Sequence, residues 1–263
     1  TSADKAGWMI PFPCGKSNEM PVESRPLTDQ VALITGAGRG IGGAIALRLA
    51  KAGARTVLAA RTEQEIQATA EIIRQDGGKT LVVPTDVTQD DQVDNLVERT
   101  LAHYGHVDIL VNTAGGGPPR TPIVKSRNTD WEWTLRVNLW ATMSVTKRVL
   151  PSMIERQHGT IITLGSIASF TGRAGEAAYA ASKFGLRGFT QSLFEEVRRY
   201  GIKVSFLCPG HVDTALIPPN KRIDREKLLS PGDVADAAYN IAVSSPRACP
   251  VEVILQPQFD PFR

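Results

Sequence analysis

The sequence contains few cysteines and no long hydrophobic run. Three cysteines, Cys14, Cys208 and Cys249, occur among 263 residues; their number is odd and their spacing lacks the pattern of metal ligands. We therefore expect buried or incidental thiols, no metal site and a reducing, cytoplasmic environment. No segment approaches the roughly 18 consecutive apolar residues of a membrane-spanning helix, so we also expect no membrane partner.

The sequence also lacks an excess of one charge, and we expect no signal peptide. Its formal net charge is +3 with both signs interspersed, which gives no argument for nucleic acid. Prolines and polar residues interrupt the apolar positions near the N-terminus. We interpret residues 1–25 as an N-terminal tail or extension, of which residues 1–19 are non-native if the native start is Met20. Alternatively, Trp8 and Phe12 dock this extension onto the domain formed by residues 26–263.

From Pro26 onward, short apolar runs rich in β-branched residues alternate with longer amphipathic stretches. This alternation is typical of βαβ units, in which helices join parallel strands. The candidate strands are VALITG, TVLAA, TLVVPTD, DILVNTAG, GTIITLGS, KVSFLCPG and VEVILQP. The sequence predicts one α/β domain with a doubly wound parallel sheet of about seven strands and helices on both faces.

A glycine-rich turn follows the first candidate strand. The stretch VALITGAGRGIGGAIALRLA passes through Gly36, Gly38, Gly40 and Gly42 directly into a helix. Glycines permit a tight turn, while the free N–H groups at the helix N-terminus attract a pyrophosphate. A plain glycine-rich turn is the alternative. The position of this stretch in the first βα turn of the domain favours dinucleotide binding in a Rossmann-type fold over that alternative.

The end of the second candidate strand bears on the choice of dinucleotide. NAD sites of this kind usually place an acidic residue there to hold the ribose 2′-hydroxyl, but this chain has Ala60 followed by Arg61. Arg61 and Arg39 can clamp a 2′-phosphate through their planar guanidinium groups. The sequence favours NADP(H), and NAD(H) remains the alternative because Glu63 lies two residues beyond Arg61.

The segment YAASK places a phenol and an ammonium four residues apart. On a helix, Tyr179 and Lys183 share one face, so both side chains can reach one point. A solvated helix face is the alternative. The spacing alone does not distinguish the two.

Several motifs together resemble the short-chain dehydrogenase/reductase family over nearly the whole stretch from Pro26 to Pro257. They occur in the family's order and context. The matching motifs are TGAGRGIG, DVT from Asp86, NTAG from Asn112, RVNLWA around Asn138, LGSIAS around Ser166, YAASK and PGHVDT from Pro209.

The resemblance implies roles for individual residues. Tyr179 would exchange a proton with a carbonyl oxygen, and Ser166 would orient that oxygen. Lys183 would hold the ribose and, together with oxidised nicotinamide, lower the tyrosine pKa. Asn138 would support the lysine through a water. The implied cofactor-binding residues are Gly36, Arg39, Gly40, Ile41, Gly42, Arg61, Asp86, Val87, Asn112, Tyr179, Lys183, Pro209, Val212 and Thr214.

The resemblance leaves the substrate open. The leading interpretation is an NADP(H)-dependent oxidoreductase that interconverts a small carbonyl compound and a secondary alcohol. One alternative is a 3-oxoacyl-thioester reductase, which the C-terminal CPVEVILQPQFDPFR favours less; another is a dinucleotide-binding protein without turnover. A homodimer or homotetramer is implied by the family.

Two local features carry their own expectations. Where the family usually has a second asparagine, this chain has Thr113, whose hydroxyl we expect to bond a neighbouring strand. The segment from Ala215 to Asp233 is rich in proline and charge and follows a strand end. We expect it to form a lid over the site.

Overall fold

The computed structural model describes residues 25–217, 220 and 222–262. One parallel sheet of seven strands runs through them, in the order β3-β2-β1-β4-β5-β6-β7. The strands are β1 (Val31–Thr35), β2 (Arg55–Ala60), β3 (Thr80–Pro84), β4 (Ile109–Asn112), β5 (Gly159–Leu164), β6 (Ile202–Pro209) and β7 (Glu252–Leu255). The predicted fold class and strands are confirmed. Of the predicted N-terminal tail, residues 1–24 lie outside the described residues.

Helices connect the successive strands. They are α1 (Gly40–Lys51), α2 (Glu63–Gln75), α3 (Asp90–Tyr104), α4 (Asn128–Leu135), α5 (Ala141–Arg156), α6 (Ala177–Val197) and α7 (Pro231–Ala242). A π-helical turn, Arg136–Trp140, joins α4 to α5 without interruption. No helix within the described residues is long and apolar enough to cross a membrane.

The sheet is buried on both faces. Along β1, Ala32 and Ile34 belong to a core with α1, α2 and α7, whereas Val31 and Leu33 belong to a second core with α3, α5 and α6. All five residues of β1 are buried, as expected for a central strand covered by helices on both sides.

The order of the strands reverses beside β1. The chain places β2 and β3 on one side of β1 and β4 to β7 on the other. Thr35 at the end of β1 pairs in register with Asn112 at the end of β4. In open parallel sheets, a ligand crevice forms at such a reversal beyond the carboxyl ends of the strands.

Candidate active site

The glycine turn after β1 is shaped by backbone constraints. Gly36 and Gly40 have φ angles of +67° and +56°, which side chains rarely tolerate. A Cβ on Gly36 would lie 2.9 Å from Ala114 N, and one on Gly42 less than 3.0 Å from Gly36 O. The segment just after β4 therefore approaches this turn closely. The helix begins at Gly40, and no side chain among the described residues caps its N-terminus, so its first amides can meet an anion.

Thr113 ties the ends of β1 and β4 together. Its hydroxyl donates to Thr35 O, and its backbone N–H donates to the Thr35 hydroxyl at 3.2 Å. The expectation of a bond to a neighbouring strand is confirmed. The departure from the family pattern thus fixes the strand ends at the crevice.

The two arginines expected to hold a 2′-phosphate differ in their partners. Arg61 follows β2, is exposed, and forms no ion pair with other described residues. Arg39 forms an ion pair with Glu65 at 3.3 Å. Glu65 also packs on the turn, since a Cβ on Gly38 would lie 2.8 Å from Glu65 Cβ. The sequence pattern drew attention to Glu63 and not to Glu65, because the contact of Glu65 depends on how α2 packs against the turn.

The ends of β3 and β4 carry the next predicted residues. Asp86 Oδ1 accepts hydrogen bonds from Thr88 N and Oγ1 at 2.9 and 2.7 Å. Val87 is buried beside it. The side chain of Asn112 is buried; Nδ2 donates to Thr146 Oγ1 at 3.1 Å, while Oδ1 has no partner among the described residues.

The residues after β6 close the other side of the crevice. Val212 is buried and bridges to Leu229, following Pro209 at the end of the strand. Thr214 Cγ2 would lie 3.5 Å from a Cβ on Gly40. The segments around Gly40 and Thr214, far apart in the sequence, therefore border the same space.

Tyr179 and Lys183 lie in the first turns of α6. Lys183 is only 5% exposed, and its Nζ donates to Leu164 O at 2.9 Å. The Nζ atom is 5.8 Å from the centroid of the Tyr179 ring. The solvated-face alternative is therefore wrong for Lys183: this face of α6 points into the protein beside the end of β5.

Ser166 follows β5 and faces the same space. Its Oγ accepts from Ala168 N at 3.1 Å, capping a short 3₁₀ turn over Ile167–Ser169. The serine hydroxyl also lies close enough to Tyr179 to lower the pKa of the phenol, against the larger effect of burial, which raises it. Ser166 and Tyr179 are thus within hydrogen-bonding reach of each other.

Asn138 occupies the π-helical turn and is completely buried. Its Nδ2 donates to Gly116 O at 2.7 Å and to Thr134 O at 3.0 Å, and its Oδ1 accepts from Gly116 N at 3.0 Å. A Cβ on Gly115 would lie 3.9 Å from Lys183 Nζ. Asn138 therefore holds the loop after β4 against the lysine.

The pKa of Tyr179 shifts in the direction opposite to the one expected from the sequence, and the pKa of Lys183 shifts as well. Burial raises the pKa of Tyr179 and lowers that of Lys183 to about 8. The expected lowering of the tyrosine pKa required the positive charges of both the lysine and the oxidised nicotinamide. In the protein alone, the effect of burial on the pKa of Tyr179 is larger than that of Ser166.

Three loops form the mouth of the site, namely the one after β4, the one before α6 and the one after β6. A Cβ on Gly117 would lie 3.2 Å from Tyr179 Cδ2, and Thr121 N donates to Gly175 O at 3.0 Å. Arg225 of the expected lid pairs with Asp213, which lies just before that segment. Pro218, Pro219 and Lys221 of that segment lie outside the described residues.

Two features therefore define the class of protein: a dinucleotide-type glycine turn at the sheet reversal, and a serine, tyrosine and buried lysine beside it. No group of three or more histidine, cysteine or acidic side chains within the described residues is arranged to hold a metal ion. Cys208 is buried and Cys249 is partly buried, and both are free thiols.

Comparison with known proteins gives the family. A family model for short chain dehydrogenases matches residues 30–223. An uncharacterized oxidoreductase of Staphylococcus aureus (strain MRSA252) is 37% identical over 237 residues, which cover 88% of this chain and 98% of that protein. An uncharacterized oxidoreductase of Staphylococcus epidermidis (strain RP62A) is 35% identical over 235 residues, covering 87% and 97% of the two chains.

A solved structure agrees with these relatives. A metagenomic short-chain oxidoreductase in complex with NADP has a TM-score of 0.79 and 33% identity, covering 89% of this chain and 100% of that chain. The chain described here belongs to the short-chain dehydrogenase/reductase family of oxidoreductases.

Proposed function

We propose that this protein is an NADP(H)-dependent oxidoreductase that interconverts a carbonyl compound and a secondary alcohol, with Tyr179 as acid/base. The observation that carries the proposal is the meeting of Ser166, Tyr179 and buried Lys183 beside the glycine turn. A protein that only binds a dinucleotide has no need for this combination.

The residues around the turn fit a nicotinamide dinucleotide. The helix N-terminus and backbone amides suit a pyrophosphate, and the side-chain-free surface of Gly36, Gly40 and Gly42 lets it approach the backbone. The unpartnered Oδ1 of buried Asn112 offers an acceptor to a polar group in the crevice. When bound, the reduced nicotinamide supplies the hydride.

The protein's own side chains bind and protonate the oxygen of the substrate. Ser166 already accepts a bond from Ala168 N, so its hydroxyl hydrogen remains available to donate to the carbonyl oxygen. Tyr179 donates its proton to the same oxygen as negative charge develops there. Lys183 adds positive charge near the resulting phenolate, and Asn138 fixes the loop that borders the lysine.

The proposed preference for NADP(H) depends on the balance of three side chains. Arg61 is exposed and forms no ion pair with the other described residues, while Arg39 is paired with Glu65. A 2′-phosphate brings about two negative charges, which compete with the single carboxylate for Arg39. The neighbour solved with NADP supports this preference.

Turnover is tested by NADPH oxidation with a panel of small ketones, aldehydes and oxo acids, and with acetoacetyl-CoA as the thioester. We expect Tyr179→Phe to lower kcat at least about 1,000-fold, because the proton donor to the oxygen is lost. NADPH should still bind to the variant within about threefold of the wild-type Kd. Retained turnover in Tyr179→Phe contradicts the assignment of Tyr179 as acid/base. If the wild-type protein binds NADH as tightly as NADPH or more tightly, the proposed cofactor preference is wrong.

We also propose a homodimer or homotetramer. The surface around α4 and α6 exposes Trp133, Leu135, Trp140 and Phe184, by 39%, 40%, 52% and 46%. Clustered aromatic side chains of this kind mark association surfaces. Light scattering should give at least a dimer, and Trp140→Glu should shift it toward monomer. A monomeric wild-type protein at micromolar concentration contradicts this proposal.

A further inference from the structure

Four charged or titratable side chains meet at the mouth of the site, and none of them was assigned a role above. They come from three segments: Arg120 follows β4, Arg173 and Glu176 precede α6, and His211 follows β6. The first two segments are joined by the backbone hydrogen bond described above. We call this group the mouth cluster.

The two arginines of the mouth cluster differ in their partners. Arg120 Nε lies 2.5 Å from Glu176 Oε1, so these two charges compensate each other. Arg173 forms no ion pair with a carboxylate among the described residues; its Nη1 instead lies 3.3 Å from His211 Nε2. An arginine is always a donor, so Nε2 is the acceptor and the imidazole is neutral in this contact.

Electrostatics agree with that assignment. Burial lowers the pKa of His211, and the charges of Arg173 and Arg120 lower it further, against the weaker effect of Glu176. The imidazole is therefore neutral near pH 7. The mouth cluster consequently carries one net positive charge, and that charge is on Arg173.

The mouth cluster adjoins the acid/base. Glu176 is the residue before α6 and lies less than one turn before Tyr179. Besides burial and Ser166, its charge acts on the pKa of Tyr179, and it acts on that of His211 as well. The carboxylate is thus within Coulombic range of both the tyrosine and the histidine, and Arg173 lies 3.3 Å from that same histidine.

We propose that Arg173 binds a carboxylate on the substrate, so that this enzyme acts on oxo acids and the corresponding hydroxy acids. A guanidinium matches a carboxylate in geometry as well as in charge, and covering Arg173 with a neutral substrate would leave its charge uncompensated. In the reducing direction, hydride adds to the carbonyl carbon and the Tyr179 proton to the oxygen, while the carboxylate is unchanged. The inference rests on the proposed function and adds the charge of the substrate.

Paired substrates separate recognition of the carboxylate from catalysis. Straight-chain 2-, 3- and 4-oxo acids are each compared with their methyl esters, using wild type, Arg173→Met and, as matched control, Arg99→Met on the exposed side of α3. We expect kcat/KM for the best acid to fall about 10- to 100-fold in Arg173→Met, mainly through KM, as for the loss of a charge-assisted hydrogen bond. The ester should change less than about twofold, and Arg99→Met should behave as wild type.

Equal losses of kcat/KM for acid and ester in Arg173→Met, or a higher kcat/KM of the wild type for the esters than for the acids, would overturn the proposal. If no carbonyl is reduced in a Tyr179-dependent manner, the proposed function itself has failed, and binding then tests the carboxylate site alone. Thermal unfolding of the NADP⁺-loaded protein is measured with a saturated straight-chain carboxylate and with its amide. Protection by the carboxylate alone, absent in Arg173→Met, supports the site; equal or no protection overturns it.

Discussion

Burial sets the charge behaviour of the residues that the proposed reaction uses. Tyr179 and Lys183 lie in α6 where the ionised form of each is disfavoured, raising the tyrosine pKa and lowering that of the lysine to about 8. The lysine keeps one hydrogen bond, to Leu164 O. A charged group held in this position lowers the stability of the free protein, as is common for functional sites.

Lys183→Met is expected to stabilise the free protein while abolishing turnover. Lowering a lysine pKa from 10.5 to about 8 corresponds to a cost of about 3 kcal/mol. The folded state binds fewer protons than the unfolded state between these values, so the cost is complete below about pH 8 and disappears toward 10.5. Loss of the bond to Leu164 O offsets about 1 kcal/mol.

Urea unfolding measures this effect. We expect Lys183→Met to gain about 2 kcal/mol at about pH 7 and clearly less at about pH 9.5. The exposed Lys79→Met serves as control and should change little at either pH. A Lys183→Met variant that is less stable than wild type at neutral pH would show that burial of the charge costs less than the packing lost.

At the scale of elements, the sequence predicted what depends on local pattern. The seven strands followed from apolar β-branched runs, and the glycine turn followed from its place between β1 and α1. The π-helical turn that holds Asn138 was not predicted, because one turn of five residues leaves no periodic signal. Glu65 and Arg173 were also missed, since each meets its partner through the packing of separate loops or helices.

Gly42→Ala is expected to disrupt the join between the glycine turn and α1. A Cβ there would lie within 3.0 Å of both Gly36 O and Thr113 Oγ1, and neither the backbone oxygen nor the strand-bound hydroxyl can move freely. We expect a loss of about 1 to 3 kcal/mol in stability and at least about tenfold weaker NADPH binding. Fluorescence titration with NADPH and urea unfolding measure the two effects.

The adjacent Gly43→Ala is the matched control for this prediction. Residue 43 lies in the same helix as residue 42. A Cβ there would lie 3.4 Å from Ala37 O, which is an ordinary contact distance. Alanine also favours helix over glycine by up to about 1 kcal/mol. We expect Gly43→Ala to bind NADPH within about threefold of wild type. Similar losses in the two variants would indicate that α1 as a whole, and not the close approach at residue 42, determines binding.

At the scale of the whole molecule, the end of the chain returns to the site. Phe262 bridges to Ile223, and Asp224 N donates to Pro261 O at 2.8 Å, so the last residues cover the segment after β6. The ring of Phe262 also packs edge-on against His211, with the centroids 5.1 Å apart. Phe262, the last described residue, thus contacts the mouth cluster directly.

Phe262→Ala is expected to loosen the segment from Ile223 to Leu228 without unfolding the domain. The ring is 48% exposed, so its loss should cost global stability no more than about 1 kcal/mol. The contact with His211 depends on the ring directly, and this contact anchors the backbone that bridges to Ile223. Amide hydrogen exchange should become at least about tenfold faster in this segment and unchanged in β1 and β4. The control is Phe259→Ala, which removes a 66% exposed ring three residues before Phe262. This variant should leave hydrogen exchange in the segment as in wild type. If both variants accelerate exchange equally, or neither does, the ring of Phe262 does not hold the end of the chain over the site.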